Sequence, residues 1–202
     1  RSGQIVTIEH AGLQFSERTS AGGTLSISFP AMSEISFITA TFEDGAQGEA
    51  SLSVRDAGKV ERMAIVWSAP VELDLHAYEG GGARSDGNHV WEGAPRSYRE
   101  TLTRGGGYLV TYGDPEIIGG SRTEVYSLPT TRVRATVTVN MDLNVGDASQ
   151  ICDDDIGLKT VRTQKGRDVE VRSFNLRMPG CSVASAGMVL ENFTDALEVS
   201  RR

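Results

Sequence analysis

The feature that most constrains this chain is a two-residue alternation of apolar with polar or small side chains, which recurs along most of its length. Such alternation is typical of β-strands with one buried face. In the first quarter of the chain it predicts four strands, at residues 4–10, 23–29, 35–42 and 49–54. An Asp-Gly pair between the last two predicts a hairpin turn.

Further strand patterns follow at intervals of about 8–12 residues, a spacing typical of sandwiches and barrels. No segment carries a sustained 3.6-residue apolar stripe of helical length, and the nearest, residues 95–104, favours one short helix. The sequence therefore predicts an all-β fold, an antiparallel β-sandwich of immunoglobulin-like or jelly-roll-like type.

The 202 residues are enough for one large domain or two small ones, and enough to bury a core without a metal. The weakest strand pattern in the first half lies at residues 54–61. We therefore expect an N-terminal β-sheet segment or small β domain over residues 1–57 and a main β-sandwich over residues 58–202. The two arrangements left open are one elaborated domain and two small sandwiches.

The chain has two cysteines, Cys152 and Cys181, and each lies beside turn-forming residues. With no CxxC pair and no nearby histidine to favour zinc or redox chemistry, we expect a disulfide that closes the C-terminal hairpin predicted from residues 157–163 and 167–178. In the chain-entropy model, closing a loop of about 30 residues stabilises by roughly 3–4 kcal/mol. A disulfide would indicate a periplasmic, secreted or cell-surface protein; the alternative is two buried free thiols.

The net charge of -7 and the pI near 5.0 come without any cluster of lysine and arginine. Nucleic-acid surfaces need such a basic cluster, so we expect no nucleic-acid partner. No apolar stretch approaches the ~20 residues that a membrane-spanning helix needs, so we expect no membrane insertion.

A candidate metal site begins at the strand predicted for residues 71–78, where Asp74 and His76 project from the same face about 6.5–7 Å apart. If residues 88–91 pair with this strand, His89 completes an Asp74, His76, His89 set. Two histidines, a carboxylate and an open position are typical of catalytic zinc or non-haem iron. The alternative is the ordinary polar face of a half-solvated strand.

A second candidate metal site is the acidic loop that contains Asp153, Asp154 and Asp155. Several oxygen ligands on one irregular loop suit calcium, although the spacing lacks the register of an EF-hand. The alternative is a solvated acidic loop that binds no ion.

Three aromatic residues, Tyr78, Trp91 and Tyr98, are set among polar loop residues. Aromatic rings with polar neighbours can form a platform for a sugar or a protein partner, and the alternative is that they close the open end of the sandwich.

The sequence has neither a G-x-S-x-G nucleophile elbow nor a phosphate-binding P-loop. We expect no catalytic residues.

Residues 63–78 resemble a motif of bacterial exported β-sandwich domains of unknown function, some of which are attached to von Willebrand type A-like modules. The motif is an apolar strand ending in tryptophan, a short break, and D-[LV]-D-L-H, which Trp67, Asp74, Leu75 and His76 match. Glu72 stands where the motif has its first aspartate. The resemblance covers residues 59–140 and implies a secreted or periplasmic sandwich with a non-enzymatic, envelope-associated role.

Together these features favour an exported, non-enzymatic binding or assembly module of the bacterial cell envelope or surface. Its partner would be another protein or a second copy of the chain, with carbohydrate as an alternative ligand. Two other functions stay open: a metal-dependent enzyme using the Asp74, His76, His89 set, and a calcium- or carbohydrate-binding adhesion domain.

Overall fold

The computed structural model describes residues 2–68, 70–80, 88–133, 136–164 and 168–199. This part of the chain forms antiparallel strands, one α-helix and three short 3-10 turns. In chain order the strands and the helix are β1 (Ile5–His10), β2 (Leu13–Arg18), β3 (Ile35–Phe42), β4 (Gln47–Ser53), β5 (Val60–Trp67), β6 (Leu73–Glu79), β7 (His89–Val90), α1 (Tyr98–Arg104), β8 (Tyr108–Tyr112), β9 (Arg122–Pro129), β10 (Val137–Val145), β11 (Asp155–Thr163), β12 (Glu170–Arg177), β13 (Met188–Leu190) and β14 (Leu197–Val199).

The strands pair into three antiparallel sheets. Sheet A has the order β2-β1-β3-β4, and sheet B has the order β12-β11-β5-β9-β8. Sheet C has the order β13-β10-β6-β7, with β14 also beside β10. The all-β, sandwich-like prediction is confirmed.

Sheet B lies between the other two sheets, and its central strand β5 contacts both. Met63, Ile65 and Trp67 belong to the core shared with sheet C, whereas Ala64 and Val66 belong to the core shared with sheet A. A strand that is buried on both faces needs apolar residues at successive positions, which explains the continuous apolar run at the end of β5. The fold therefore has three layers of sheet and two hydrophobic cores.

One predicted strand in the N-terminal region was wrong. Residues 23–29 form no ladder, and the second strand is β2 instead. Ala11 (φ 48°) and Gly12 (φ 91°) form the tight turn that pairs β2 with β1. Residues 23–29 still contribute Leu25, Ile27 and Phe29 to the edge of the core between sheets A and B.

The predicted boundary near residue 57 falls between sheet A and the rest of the molecule. Across it, Val6 and Ile8 of β1 share a core with Val125 and Val161 of sheet B. Main-chain hydrogen bonds also cross it, since the Ser16 N–H donates to the Ser121 carbonyl at 2.8 Å. Sheet A thus packs directly on sheet B.

The C-terminal hairpin predicted from the sequence is formed by β11 and β12, which pair from Asp155 and Arg177 to Arg162 and Glu170. The Cys152–Cys181 disulfide lies just beyond the open end of this hairpin. The predicted disulfide is therefore confirmed.

In the described part of the chain, no helix is long and apolar enough to span a bilayer.

Candidate functional site

The candidate site begins on β6, whose two faces have opposite character. Leu73 and Leu75 are 1% and 0% exposed and point into the core between sheets B and C. The alternating residues Asp74, His76 and Tyr78 lie on the outer face of sheet C. This is the register predicted from the alternation.

Strand β7 brings His89 beside this face. His89 is opposite Tyr78 in the β6–β7 ladder, so the pairing on which the Asp74, His76, His89 hypothesis depended is present. His76 Nδ1 lies 2.8 Å from His89 Nε2. The other ring nitrogen of His76, Nε2, lies 2.7 Å from the side-chain amide of Asn144 on β10. Because a neutral imidazole donates at one nitrogen and accepts at the other, these three side chains form a directional hydrogen-bond chain.

Four rings on this face pack together, and we call His76, Tyr78, His89 and Trp91 the ring cluster. Tyr78 and His89 stack with centroids 4.5 Å apart, and His76 stacks on Trp91 at 5.1 Å. Gly93 lies so close to the indole that an added Cβ would be 2.5 Å from a ring carbon. The four rings thus contact one another closely, and Gly93 leaves room for the indole.

Tyr98, the third aromatic residue predicted for binding, lies elsewhere. It is the first residue of α1, is 53% exposed, and contacts Tyr108 edge-on at 5.8 Å between centroids. The Ser97 hydroxyl and Glu100 form a capping box that starts this helix. The structure therefore brings Tyr78 and Trp91 together and leaves Tyr98 apart.

A group of carboxylates borders the ring cluster, and we call Asp74, Glu92 and Glu124 the carboxylate cluster. One carboxylate oxygen from each lies within 4.8 Å of the others. Asp74 shares the outer face of β6 with His76, and Glu92 follows Trp91 directly in the chain. The two clusters are thus adjacent, through Asp74 on the strand of His76 and Glu92 beside Trp91.

Glu124 joins the carboxylate cluster from sheet B. It is 1% exposed, and its Oε2 accepts a hydrogen bond from the Leu75 N–H at 2.6 Å. Its Oε1 accepts a second from the Thr111 hydroxyl at 3.0 Å. The Leu75 N–H needs this partner because the two-residue strand β7 pairs with β6 only at Ala77 and Tyr78. Glu124 could not be assigned to this site from the sequence, because it lies in a strand pattern of another sheet.

The pKa values of two members of the carboxylate cluster are raised. Burial raises the pKa of Glu124 from 4.5 to about 7, and the charges of Asp74 and Glu92 add to this effect against its two hydrogen bonds. The pKa of Glu92 is raised by partial burial and by its hydrogen bond and charge repulsion with Asp74, while Arg122 opposes the shift. Both shifts favour the protonated forms of these two carboxyl groups.

The Asp74, His76, His89 metal set predicted from the sequence is only partly assembled. The two histidines are in contact, whereas the Asp74 carboxylate is grouped with Glu92 and Glu124. A metal at the histidine pair stays a prediction.

The three aspartates of the predicted calcium loop are exposed. Asp153 lies beside the disulfide, with its Oδ2 3.3 Å from Cys181 Sγ, and Asp155 forms an ion pair with Arg177 at 3.6 Å. The main-chain carbonyl of Asp154 accepts from the Met178 N–H at 2.8 Å. Calcium binding here also stays a prediction.

Comparisons with protein-family models, with curated proteins and with solved structures found no match. A function for the outer face of sheet C is therefore argued from its geometry.

Proposed function

We propose that this chain is an exported, non-enzymatic binding module of the bacterial cell envelope, and that the outer face of sheet C contacts a protein partner. One observation carries the proposal: the half-buried rings of Tyr78, His89 and Trp91 are packed together, and the carboxylates of Asp74 and Glu92 lie next to them in β6 and after β7. The ordinary outer face of a sheet carries scattered polar residues, not packed rings with grouped carboxylates beside them.

A protein partner fits this surface better than a sugar does. Sugar stacking needs an open ring face, and Trp91 has one face against Gly93 and the other rings around it. Tyr78 and Trp91 are half-buried. Tyrosine and tryptophan are among the residue types that contribute most of the binding energy in protein interfaces. The carboxylates beside them would pair with a basic side chain of the partner.

Binding is favoured over catalysis because the side chains that could act as a general acid or base are buried. His76 is 6% exposed and Glu124 is 1% exposed, and both make hydrogen bonds to their own chain. A general acid or base has to reach the proton that it transfers. Export is supported by the disulfide, because such bonds persist in oxidising compartments.

Photocrosslinking in the native cells tests the proposed binding face. A benzoylphenylalanine at Tyr78 is expected to give a crosslinked product of discrete mass, and Trp91→Ala in the same chain should reduce its yield at least fivefold. The matched control carries the crosslinker at exposed Glu116, on the β8–β9 connection. Equal products from both positions, or none from Tyr78, would contradict the proposal.

One observation favours a second candidate function, that of a metal-dependent enzyme. His76 Nδ1 and His89 Nε2 converge to 2.8 Å, and two nitrogen ligands of a tetrahedral zinc ion lie about 3.3 Å apart. Elemental analysis of protein purified without chelators distinguishes the two functions. Stoichiometric zinc or iron that is lost in His89→Ala would favour the enzyme, and substoichiometric metal unchanged by His89→Ala would remove it.

A further inference from the structure

Strand β4 is an edge strand that is exposed along its whole length. All seven residues of Gln47–Ser53 are exposed, on both faces of the sheet. Within the described part of the chain, its ladder partner is β3. Edge strands of this kind present unpaired backbone groups that can pair with another strand.

The hydrogen bonds of the β3–β4 hairpin show which backbone groups point outward. The Val54 N–H donates to the Glu34 carbonyl at 2.8 Å, and the Phe42 N–H donates to the Ala46 carbonyl at 2.9 Å. Antiparallel ladders alternate between hydrogen-bonded and non-hydrogen-bonded pairs. The even-numbered residues of β4 therefore bond to β3, and the odd-numbered residues turn their N–H and C=O groups away from it. These outward residues are Gln47, Glu49, Ser51 and Ser53.

We propose that β4 pairs in antiparallel fashion with β4 of a second copy of this chain, about a two-fold axis at Ala50. In this register Gln47 is opposite Ser53 and Glu49 is opposite Ser51. All seven residues overlap, and each outward residue meets an outward residue. The two copies of sheet A become one continuous sheet.

Side chains also favour this register. Leu52, which is 54% exposed, lies opposite Gly48 of the other copy, and the space beside Gly48 is open. A shift by one residue in each copy would place Glu49 opposite its own symmetry mate, and like charges directly opposite are destabilising. The register that overlaps fully therefore keeps these charges apart, and it pairs more of β4 than the opposite shift, which would place the axis at Ser51 and leave Gln47 and Gly48 unpaired.

Charge favours strand pairing at β4 over strand pairing at the edge strand β12. The chain has a net charge of -7, so two copies repel each other in general. Glu49 is the one charged residue of β4, whereas the edge strand β12 carries Glu170, Arg172 and Arg177. Charged edges resist strand pairing.

Sedimentation of charge variants tests the pairing. The wild-type chain is expected to form a reversible dimer of twice its 21.7 kDa mass. Ser51→Glu places two carboxylates opposite each other at both symmetric positions, so its Kd for dimerisation should rise at least tenfold. The matched variant Ser51→Lys places lysine opposite Glu49 and should dimerise at least as tightly as the wild type. Circular dichroism checks that both variants fold.

Cysteine crosslinking tests the register. Across a non-hydrogen-bonded pair the Cα atoms lie about 4.5 Å apart, within the range that a disulfide spans. Ala50→Cys should therefore form a covalent dimer on oxidation, and Gly48→Cys should not. The native cysteines are already bonded to each other. A monomeric wild type, including one that binds only a strand of another protein, would overturn the proposal. So would a dimer that both Ser51 variants weaken equally, or crosslinking as efficient at Gly48 as at Ala50.

Discussion

The fold strongly shifts the ionisation of Glu124. The side chain leaves sheet B and bonds to the Leu75 N–H of sheet C and to the Thr111 hydroxyl. These bonds stabilise its carboxylate, yet burial outweighs them and raises its pKa from 4.5 to about 7. Folding therefore favours the protonated form of this residue.

The stability of the protein should consequently decrease as pH rises through this range. Because the folded chain holds the Glu124 proton more tightly than the unfolded chain, its contribution is greatest below pH 4.5 and is lost as pH rises to about 7. In Glu124→Gln this contribution disappears, so the difference in unfolding free energy between variant and wild type should change by roughly 2–4 kcal/mol over that interval. Urea denaturation at several pH values measures it.

Glu100→Gln is the matched control for this pH dependence. Hydrogen bonds from the Ser97 N–H and hydroxyl lower the pKa of Glu100, so its contribution runs in the opposite direction and is lost as pH falls. An identical pH profile for wild type and Glu124→Gln would show that Glu124 is not buried as described.

At the scale of the elements, the β11–β12 hairpin is the part most dependent on a covalent bond. Strand β12 is exposed at nearly every residue and has β11 as its ladder partner in the described part of the chain. The Cys152–Cys181 bond joins the segments just outside the two strands. The disulfide thus stabilises the edge strand β12, which has few packing contacts to stabilise it.

Removal of the disulfide should lower stability without changing the fold. In Cys152→Ala combined with Cys181→Ala, the unfolded chain gains the freedom of a loop of about 30 residues, and the unfolding free energy should fall by about 2–4 kcal/mol. Hydrogen exchange should show the largest loss of protection in β12, with β5 least affected. Reducing agent added to the wild type should reproduce the loss and should leave the double variant unchanged.

For the whole molecule, sheet B determines how the three layers are coupled. Its inner strand β5 contributes Trp67 to the core with sheet C and Val66 to the core with sheet A. Sheet A in turn places Phe15, which is fully buried, against this second core. Loss of either core would expose apolar side chains of sheet B to water.

The two cores should therefore unfold in one transition. Phe15→Ala removes a buried ring and should lower the unfolding free energy by about 3–5 kcal/mol. Trp67 lies in the other core, so its fluorescence should change at the same urea concentration as the circular dichroism signal of the whole chain. The recording uses Trp91→Phe so that Trp67 is the remaining tryptophan. Two separate transitions would instead favour two independent domains, divided near residue 57.

The candidate site was predictable where it depends on neighbours in sequence. Alternation placed His76 and Tyr78 on one face of β6, and the pairing of β7 brought His89 to the same face. The metal set was predicted from alternation and the pairing of two neighbouring segments, which could not show that Asp74 is grouped with Glu92 and Glu124. Glu124 comes from a strand of another sheet, and spacing along the chain carries no information about that contact.

The sequence by itself determined two kinds of property of this protein. They are those that depend on a local repeat of residues and those that depend on a residue type that occurs only twice. The two-residue period specified the all-β class and the buried face of β6, and two cysteines allowed a single pairing. Only the tertiary structure decided that residues 23–29 pair with no strand and that sheet B is covered on both faces. It also decided that Glu124 completes the carboxylate cluster, because each of these features depends on which distant segments meet.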